Sequence, residues 1–382
     1  MHPFLALCAR AKLTEIHCRR LREAAGQVAD WENLPAQAEE QGIGPLVYVH
    51  AQAAGIDVPP AARLALQGLY LRHRRAGGIR AQVLGEIVLA CQTQNIPVLV
   101  LKGAALAHLV YPQPGLRPMR DLDLLVRPPD LGRARRLLLQ LGFAEPDERL
   151  LDDHHHLTSL RRTTDGLLIS VDIHHTLLSN PRRDEPTQFD HLIDDALPFD
   201  LPAFTGGVTA HTLSREDMLW HVYRHGFDAP LIYEPFRLVW AADMVSLVEA
   251  WVDEMDWALV RRRYRQAWNA LPMFHFLTPW SDDVLDKLSL NVKGIPGGVG
   301  ESFQGWPVFS LAAQRQKGLW GILRDTFSPS KWWTYLHYGA GGTASRLWCR
   351  LVKHPLHILS WVWRYMSDRI VDLVNWWKKG RS

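Results

Sequence analysis

Cysteine is scarce in this chain, and the cysteines present follow no ligand pattern. The 382 residues include four of them, scattered through segments with helical spacing, namely Cys8, Cys18, Cys91 and Cys349. Neither a C-x-x-C pair nor an H-E-x-x-H run occurs, which excludes the usual spacings of a zinc site. Scattered cysteines of this kind are typical of reduced thiols. The cysteine content therefore predicts a cytoplasmic protein without a disulfide framework.

Long apolar runs and a strong charge of one sign are also missing. No stretch reaches the roughly 18 uninterrupted apolar residues of a membrane-spanning helix. Residues 1–20 mix basic and acidic side chains and lack the apolar core of a signal peptide. The formal net charge of +3 gives no strong nucleic-acid signal. With 47% hydrophobic and 22% charged residues, the composition is that of a folded main domain with substantial additions.

A short apolar run, a glycine turn and a helical pattern form the first element that carries chemistry. Residues 98–101 are apolar and mostly β-branched or leucine, Lys102 and Gly103 follow, and residues 104–109 favour a helix. Backbone N–H groups at such a turn attract anions, and Lys102 adds a full positive charge. This pattern predicts that Lys102, Gly103 and Ala104 bind a nucleotide. The alternative is that Gly103 only turns the chain.

Two carboxylates stand two residues apart on the next predicted strand, residues 121–126. Alternation along a strand places Asp121 and Asp123 on one face, whereas Leu122 and Leu124 point to the other. Adjacent carboxylates repel each other unless a cation lies between them, and Mg²⁺ takes oxygen ligands while keeping room for substrate phosphates. The pair predicts a site for Mg²⁺ or Mn²⁺. Alternatively, both residues only cap or solvate a strand end.

A third carboxylate lies on another strand-like run, residues 167–175. Asp172 stands between two β-branched residues, so its burial requires a metal, an arginine or a solvent cleft. The same strand face carries His174. Two-metal phosphoryl and nucleotidyl transfer uses about such a set of carboxylates. The predicted catalytic and metal-binding residues are therefore Asp121, Asp123 and Asp172.

Two arginines and two histidines complete the predicted site. Arg117 and Arg120 flank the D-x-D strand, where they offset the charge of a polyphosphate or simply pair with Asp121, Asp123 or a nearby acid. His156 and His174 are predicted on the acceptor side as hydrogen-bonding or proton-transfer groups. The alternative for both histidines is a polar residue without a functional role.

Taken together, these motifs resemble the uncharacterised nucleotidyltransferase family of the polymerase-β-like nucleotidyltransferase superfamily. The matching pieces are residues 101–106 (L-K-G-A-A-L), Tyr111-Pro112, Arg117, residues 121–126 (D-L-D-L-L-V), residues 141–143 (L-G-F) and residues 172–174 (D-I-H). A weaker resemblance continues through Trp240-Ala241-Ala242-Asp243. The match covers roughly residues 80 to 180, and its motifs are jointly specific.

The resemblance implies a fold, a donor and an acceptor. The implied fold is α+β, with a polymerase-β-like core of a small mixed sheet and flanking helices inside helical N- and C-terminal regions. The implied reaction moves a nucleotidyl or phosphoryl group from an NTP, with ATP the expected donor, to a hydroxyl on a small molecule, glycan precursor or peptide. The superfamily's usual glycine-serine turn reads Gly103-Ala104 here. That departure keeps open a catalytically silent module that binds a nucleotide or a partner.

Periodicity and composition divide the chain into four regions. These are a helical region at 1–78, the nucleotidyltransferase-like α/β core at 79–200, a second helical region at 201–290, and a linker with a tail at 291–382. In the second helical region, Ser214 is a plausible N-cap.

The C-terminal tail is rich in tryptophan and basic residues. The last 51 residues of the chain contain seven tryptophans, namely Trp332, Trp333, Trp348, Trp361, Trp363, Trp376 and Trp377. An amphipathic helix with tryptophan, lysine and arginine suits the surface of a membrane. Alternatively, the helix packs on this protein or on a protein partner. The tail thus raises a third hypothesis, an accessory protein of a membrane-associated polymer or export pathway, located peripherally at the membrane.

Overall fold

The computed structural model describes residues 2–145, 157–178, 189–203, 206–227 and 237–292, together with short stretches between 320 and 363. The chain divides into two compact units. The main unit comprises residues 2–224 and 237–291, and the second unit comprises residues 225–236 and 292–382 with Met1. Within the described residues, every helix is too short or too polar to cross a membrane.

Five helices open the main unit. They are α1 (Pro3–Leu7), α2 (Glu15–Ala25), α3 (Leu34–Glu40), α4 (Gly44–Ala53) and α5 (Pro60–Thr93). Proline stands in the first turn of α1, α3, α4 and α5. In the first turn the missing N–H of proline costs no helical hydrogen bond. The second half of α5 is buried along an apolar stripe from Ala76 to Cys91. That stripe makes α5 the backing of the sheets that follow.

A four-stranded mixed sheet forms the centre of the main unit. Its strands are β1 (Val98–Val100), β2 (Asp121–Val126), β3 (Leu160–Thr164) and β4 (Leu167–His174), in the order β1-β2-β4-β3. Strands β2 and β4 are parallel, whereas β1 and β3 run antiparallel to their neighbours. The β3–β4 hairpin turns at Asp165 and Gly166, which both have positive φ angles, as a tight D-G turn requires.

Three short helical elements surround this sheet. Helix α6 (Lys102–Leu109) follows β1, a 3-10 turn at Pro114–Leu116 precedes β2, and α7 (Leu131–Gln140) follows β2. The order strand, turn, helix predicted around Gly103 is therefore present. With helices before and after a small mixed sheet, the predicted α+β fold class is confirmed.

A second, two-stranded sheet packs against α5. Helix α8 (Phe189–Asp194) leads into β5 (Leu197–Ala203), which pairs with β6 (Gly206–Thr212) in an antiparallel hairpin. A Cβ atom at Gly85 of α5 would lie 2.1 Å from the carbonyl oxygen of Pro202, so glycine permits this close approach. The hairpin was not anticipated from the sequence, because Pro198 and Pro202 interrupt its first strand.

Five helices complete the main unit. They are α9 (Arg215–Phe227), α10 (Leu238–Trp251), α11 (Trp257–Arg263), α12 (Arg265–Leu277) and α13 (Asp282–Leu288). The hydroxyl of Ser214 accepts a hydrogen bond from the backbone N–H of Asp217 at 3.2 Å, which confirms the predicted N-cap. Helix α10 is buried on nearly all sides, and the carboxylate of Asp243 lies inside that burial.

The second unit contains part of the tryptophan-rich tail. The described part contains helix α14 (Lys331–Tyr338) and helix α15 (Thr343–Trp348), and α15 continues through a π-helical turn at Cys349–Lys353 into a helix at 354–360. This continuous segment buries Cys349, His354 and Ile358. The predicted linker before it lies outside the described residues from 293 onward.

Candidate active site

Two carboxylates and an imidazole lie together where β2 and β4 run side by side. The parallel register places Asp123 directly opposite Asp172, and His174 follows two residues later on β4. One ligand atom from each of these three side chains lies within 4.8 Å of the other two. The Nε2 atom of His174 is 2.7 Å from Oδ1 of Asp123. The sheet therefore brings together donors from two strands that are 49 residues apart in the sequence.

The lysine of the glycine turn contacts the same carboxylate. The Nζ atom of Lys102 donates a hydrogen bond to Oδ1 of Asp123 at 3.1 Å. The backbone is tied as well, because the N–H of Leu101 donates to the carbonyl of Asp123 at 2.9 Å. Lys102 has a φ angle of +49°, a left-handed conformation that is uncommon for a residue with a Cβ. The turn thus holds its cation over the acidic end of β2 at some conformational cost.

The donor set fits a divalent metal ion. The Oδ1 atom of Asp172 is buried and accepts no hydrogen bond from any residue that the structure describes. An unsatisfied buried carboxylate oxygen is costly unless a cation or a ligand reaches it. Two carboxylates and one imidazole are ligands that first-row divalent ions accept. Among the described residues, this is the one group of three or more acidic, histidine or cysteine side chains close enough to share an ion.

Asp121 lies beside this group without belonging to it. Its side chain is exposed at the start of β2, although nearby protein atoms still desolvate the carboxylate in part. This desolvation, followed by the negative charges of Asp123 and Asp172, raises the pKa of Asp121, while Lys102 and Arg117 oppose the rise. The carboxylates of the three predicted acids are therefore close enough to repel one another. The structure groups His174, rather than Asp121, with the other two.

Arg117 is held by a carboxylate from a distant helix. Its Nη2 and Nε atoms donate to the two oxygens of Asp243 on α10, at 2.6 and 3.2 Å. The hydroxyl of Tyr111 donates to the same carboxylate at 2.7 Å. Burial alone would lower the pKa of Arg117, but the Asp243 carboxylate outweighs that cost and raises it. Burial and the same carboxylate raise the pKa of Tyr111, so the phenol stays protonated and donates.

This buried network touches the glycine turn. A Cβ atom at Gly103 would lie only 2.2 Å from Nη1 of Arg117, so the guanidinium packs directly on the glycine backbone. Ala104, the next residue, is buried inside α6. Arg117 therefore supports the turn from behind, and its pairing is the alternative foreseen for it, with Asp243 as the acid.

Two predicted site residues remain, Arg120 and His156. Arg120 is exposed, and its charge lies close enough to Arg237 to lower the pKa of Arg237, after the larger effect of burial. His156 lies outside the described residues. Arg237 and Asp243 were not predicted site residues. Asp243 carried a signal, since an aspartate in the apolar stretch before Met244 has to find a buried partner.

A family model describes most of this architecture. The model of the family described as uncharacterised nucleotidyltransferase matches residues 27–279, about two thirds of the chain. The match contains the turn, both strands of the site and Asp243. No curated protein matches the chain at a significant level.

Three similar solved structures come from two proteins. The solution structure of the antibiotic-resistance factor ANT(2'')-Ia is 16% identical, with a TM-score of 0.32, and covers 51% of this chain and 96% of its own. A crystal structure of ANT(2'')-Ia in complex with adenylyl-2''-tobramycin is 15% identical, with a TM-score of 0.31, and covers 49% of this chain and 97% of its own. An antigenic nucleotidyltransferase-like protein from Paracoccidioides brasiliensis is 16% identical, with a TM-score of 0.32, and its match covers 54% of this chain and 96% of its own.

Scores this low carry no argument about substrate or fold, so the assignment rests on the family match. That match spans well over half of the chain and includes the predicted motifs. The chain therefore belongs to the uncharacterised nucleotidyltransferase family, and by that membership it is a transferase.

Proposed function

We propose that this protein transfers a nucleotidyl group from an NTP, with ATP the expected donor, to a hydroxyl acceptor. In this reaction the acceptor oxygen forms a bond to the α-phosphorus while the bond between the α-phosphorus and the bridging oxygen breaks. The hydroxyl proton leaves to a base, and pyrophosphate departs with the electron pair of the broken bond. Stabilisation of phosphate charge and alignment of the hydroxyl are the main tasks of such a site.

One observation carries the proposal. Lys102, at the start of α6, donates to Asp123 of β2, and Asp123 lies opposite Asp172 of β4. A cation for the phosphates is thus held against carboxylates that paired strands fix for a metal. Positions on paired strands keep such groups in fixed geometry better than positions on loops.

We propose that Asp123, Asp172 and His174 hold a divalent ion, Mg²⁺ or Mn²⁺. Such an ion, when bound, neutralises charge that develops on the phosphoryl oxygens. Mg²⁺ prefers oxygen ligands, whereas an imidazole in the set favours a metal more tolerant of nitrogen, such as Mn²⁺. Asp121, exposed next to the group, is the carboxylate that a second ion or the acceptor hydroxyl would meet first.

The other residues act on the phosphates and on the turn. Lys102 is 15% exposed and lies against Asp123, from where its flexible ammonium group can reach a phosphate oxygen. Gly103 and Ala104 supply backbone N–H groups at the start of α6. Arg117 is committed to Asp243, so we assign it to positioning the turn rather than to direct phosphate binding. Arg120 remains exposed for a phosphate.

A ligand-dependent shift of the unfolding midpoint tests the donor site. Mg·ATP or Mn·ATP in large excess should raise the midpoint, because a ligand at 100 times its Kd stabilises the native state by about 2.7 kcal/mol. Asp123→Asn should abolish the metal-dependent part of that rise. The matched control is Asp57→Asn, which removes an exposed carboxylate from the loop that follows α4 and should leave the rise intact.

Turnover then separates the enzyme from a silent module. With α-labelled NTP and a panel of hydroxyl compounds, the wild type should release pyrophosphate and label an acceptor, whereas Asp123→Asn should lose at least about 100-fold in rate. Binding without pyrophosphate release under every condition would instead establish the silent nucleotide-binding module. Absence of any nucleotide-dependent shift would refute the donor site itself.

A specific observation in the second unit favours an additional role at a membrane. Along the segment that continues α15, the exposed large apolar side chains are Leu347, Trp348, Leu351, Leu356, Leu359, Val362 and Trp363. Exposed apolar surface of this extent is unusual for a protein that meets only water. Arg346, Arg350 and Lys353 lie on the same segment, so we propose an anionic lipid surface as its partner, with the protein cytoplasmic and peripheral.

Co-sedimentation of the full chain with vesicles tests this role. Binding to vesicles with anionic lipid should exceed binding to neutral vesicles and should weaken as salt rises. Leu351→Ser should weaken binding about tenfold, whereas Leu64→Ser should not, although both leucines are 70% exposed. Equal effects of the two substitutions, or no sedimentation with anionic vesicles, would remove the membrane role.

A further inference from the structure

A buried arginine lies on the core-facing side of α5. Arg80 follows Ala76, Gly77 and Ile79 on the buried stripe of that helix, and it is only 9% exposed. Arginine is almost never buried to this degree without a partner, because its charge is costly to remove from water. A lone arginine among apolar positions therefore requires an explanation from its surroundings.

The described residues supply no partner for this side chain. The Nε atom of Arg80 is buried and makes no hydrogen bond, and its guanidinium forms no hydrogen bond or ion pair with any residue that the structure describes. Burial lowers the pKa of Arg80, and the charge of Asp121 partly counteracts that effect. The negative charge that acts on Arg80 in this way is that of Asp121, the acid at the edge of the candidate active site.

Packing of α5 explains why Arg80 lies there. Helix α5 contacts the 3-10 turn at Pro114–Leu116, and a Cβ atom at Gly77 would lie 3.1 Å from Cα of Gly115. Arg80 comes three residues after Gly77, which places it on the same side of the helix. The chain then runs from Gly115 directly into Asp121 and β2. The close packing of the two glycines thus brings this side of α5 against the turn that precedes the acidic strand.

We propose that Arg80 is a phosphate-binding residue of the donor site, beside Asp121. This inference rests on the proposed nucleotidyl transfer and names one further residue for it. A guanidinium offers five N–H donors in a planar fork that matches phosphate oxygens, so a bound phosphate would satisfy the buried Nε and balance the charge.

Calorimetric titration of the full chain tests the inference with two probes, Mg·ATP and Mg·pyrophosphate. Arg80→Met keeps the volume and removes the donors, and it should weaken binding of both probes about 10- to 100-fold. Arg80→Lys should recover only part of the loss, because lysine keeps the charge without the fork. The matched control is Arg74→Met, an exposed arginine of the same helix, which should change either Kd less than about twofold.

The unfolding midpoint of the ligand-free variants separates binding from structure. Removing a buried unpartnered charge should leave the midpoint of Arg80→Met unchanged or higher, whereas a structural ion pair would lower it. Unchanged affinity for both probes in Arg80→Met overturns the inference while the proposed function stands. Binding of pyrophosphate that depends on Arg80, without binding of any NTP, keeps the anion site and overturns the proposed function. A wild type that binds neither probe overturns both.

Discussion

The carboxylates of Asp243 and Asp123 are both buried, at 2% and 6% exposure, but their surroundings differ. Asp243 accepts hydrogen bonds from Nε and Nη2 of Arg117 and from the Tyr111 hydroxyl. Asp123 receives Lys102 and His174 on one oxygen and faces a second carboxylate across the strand pair. The first group satisfies its charges internally, whereas the second concentrates negative charge around a buried oxygen of Asp172 that accepts no hydrogen bond from any described residue.

We infer from this difference that Asp243 stabilises the fold, whereas the group that contains Asp172 can bind a ligand. A buried carboxylate with complete partners contributes to a unique structure, and its loss leaves an unpaired cation. A cluster of carboxylates with a buried oxygen that accepts no hydrogen bond from the described residues, as at Asp172, costs stability, and such a cost is typical of functional sites. We refer to Asp243, Arg117 and Tyr111 as the closed network, and to Asp123, Asp172 and His174 as the open cluster.

The largest effect on stability is expected from breaking the closed network. Asp243→Asn leaves the Arg117 guanidinium buried without a counter-charge and should cost about 3–5 kcal/mol in the free energy of unfolding. Urea titration measures that change directly. Asp283→Asn, which removes one partner of an exposed lysine, is the control and should cost less than about 0.5 kcal/mol. Equal losses in the two variants would mean that the network does not stabilise the fold.

Acidification should destabilise the packing of the N-terminal helices around the buried His50. His50 is buried and donates from Nε2 to the carbonyl of Arg10 at 2.8 Å. Burial, with a smaller contribution from the Arg10 charge, lowers the pKa of His50 from 6.5 to about 4. Between these two values the unfolded chain binds more protons than the folded one, so stability falls as pH falls from about 6.5 towards 4.

Uptake of a proton by His50 in the unfolded chain should lower the free energy of unfolding by about 2 kcal/mol between pH 7 and pH 4.5. His50→Gln keeps an N–H donor without the titration, and it should reduce the fall by about that amount in urea titrations at the two pH values. His17, whose pKa burial also lowers to about 4, contributes in the same direction and remains in the variant. A variant with the same acid sensitivity as the wild type would contradict the assignment to His50.

Gly103→Ala is expected to disturb both the closed network and the turn beside the open cluster. Its Cβ would overlap Nη1 of Arg117, so either the guanidinium moves off Asp243 or the turn moves away from the acidic strand. Overpacking of this kind should cost about 1 to 2 kcal/mol and should also weaken nucleotide binding. Gly132→Ala in α7 is the control, because its Cβ meets nothing closer than the tip of Arg136 at 3.5 Å. Unchanged binding in Gly103→Ala would separate the turn from the donor site.

Local patterns predicted the parts of the fold that depend on neighbouring residues. The strand-turn-helix element around Gly103, the strand at Asp121–Val126, and the N-cap at Ser214 each follow from a few adjacent side chains. The family resemblance extended this to the α+β class. The catalytic roles given to Asp121, Asp123 and Asp172 remain predictions, although the sheet register does pair the last two.

Long-range contacts account for what was not predicted. Nothing near Arg117 in the sequence indicates that its partner lies 126 residues away on α10. Strand alternation placed His174 on the same face as Asp172, but only the parallel register brings it onto Asp123. Arg80 did leave a trace, since it interrupts an apolar helical stripe. An analysis of apolar periodicity alone passes over such a residue, although a charged side chain at a core position indicates a special role.

The smallest stability change is expected in the open cluster, and its sign sharpens the comparison. Asp172→Asn removes one of the crowded negative charges, so without metal the variant should be as stable as the wild type or up to about 1 kcal/mol more stable. Excess Mg²⁺ or Mn²⁺ should raise the unfolding midpoint of the wild type but not of the variant, and the order of stability then reverses. Asp57→Asn should shift with metal as the wild type does. A metal-free loss above about 2 kcal/mol in Asp172→Asn would instead place Asp172 among the residues that hold the fold, like Asp243.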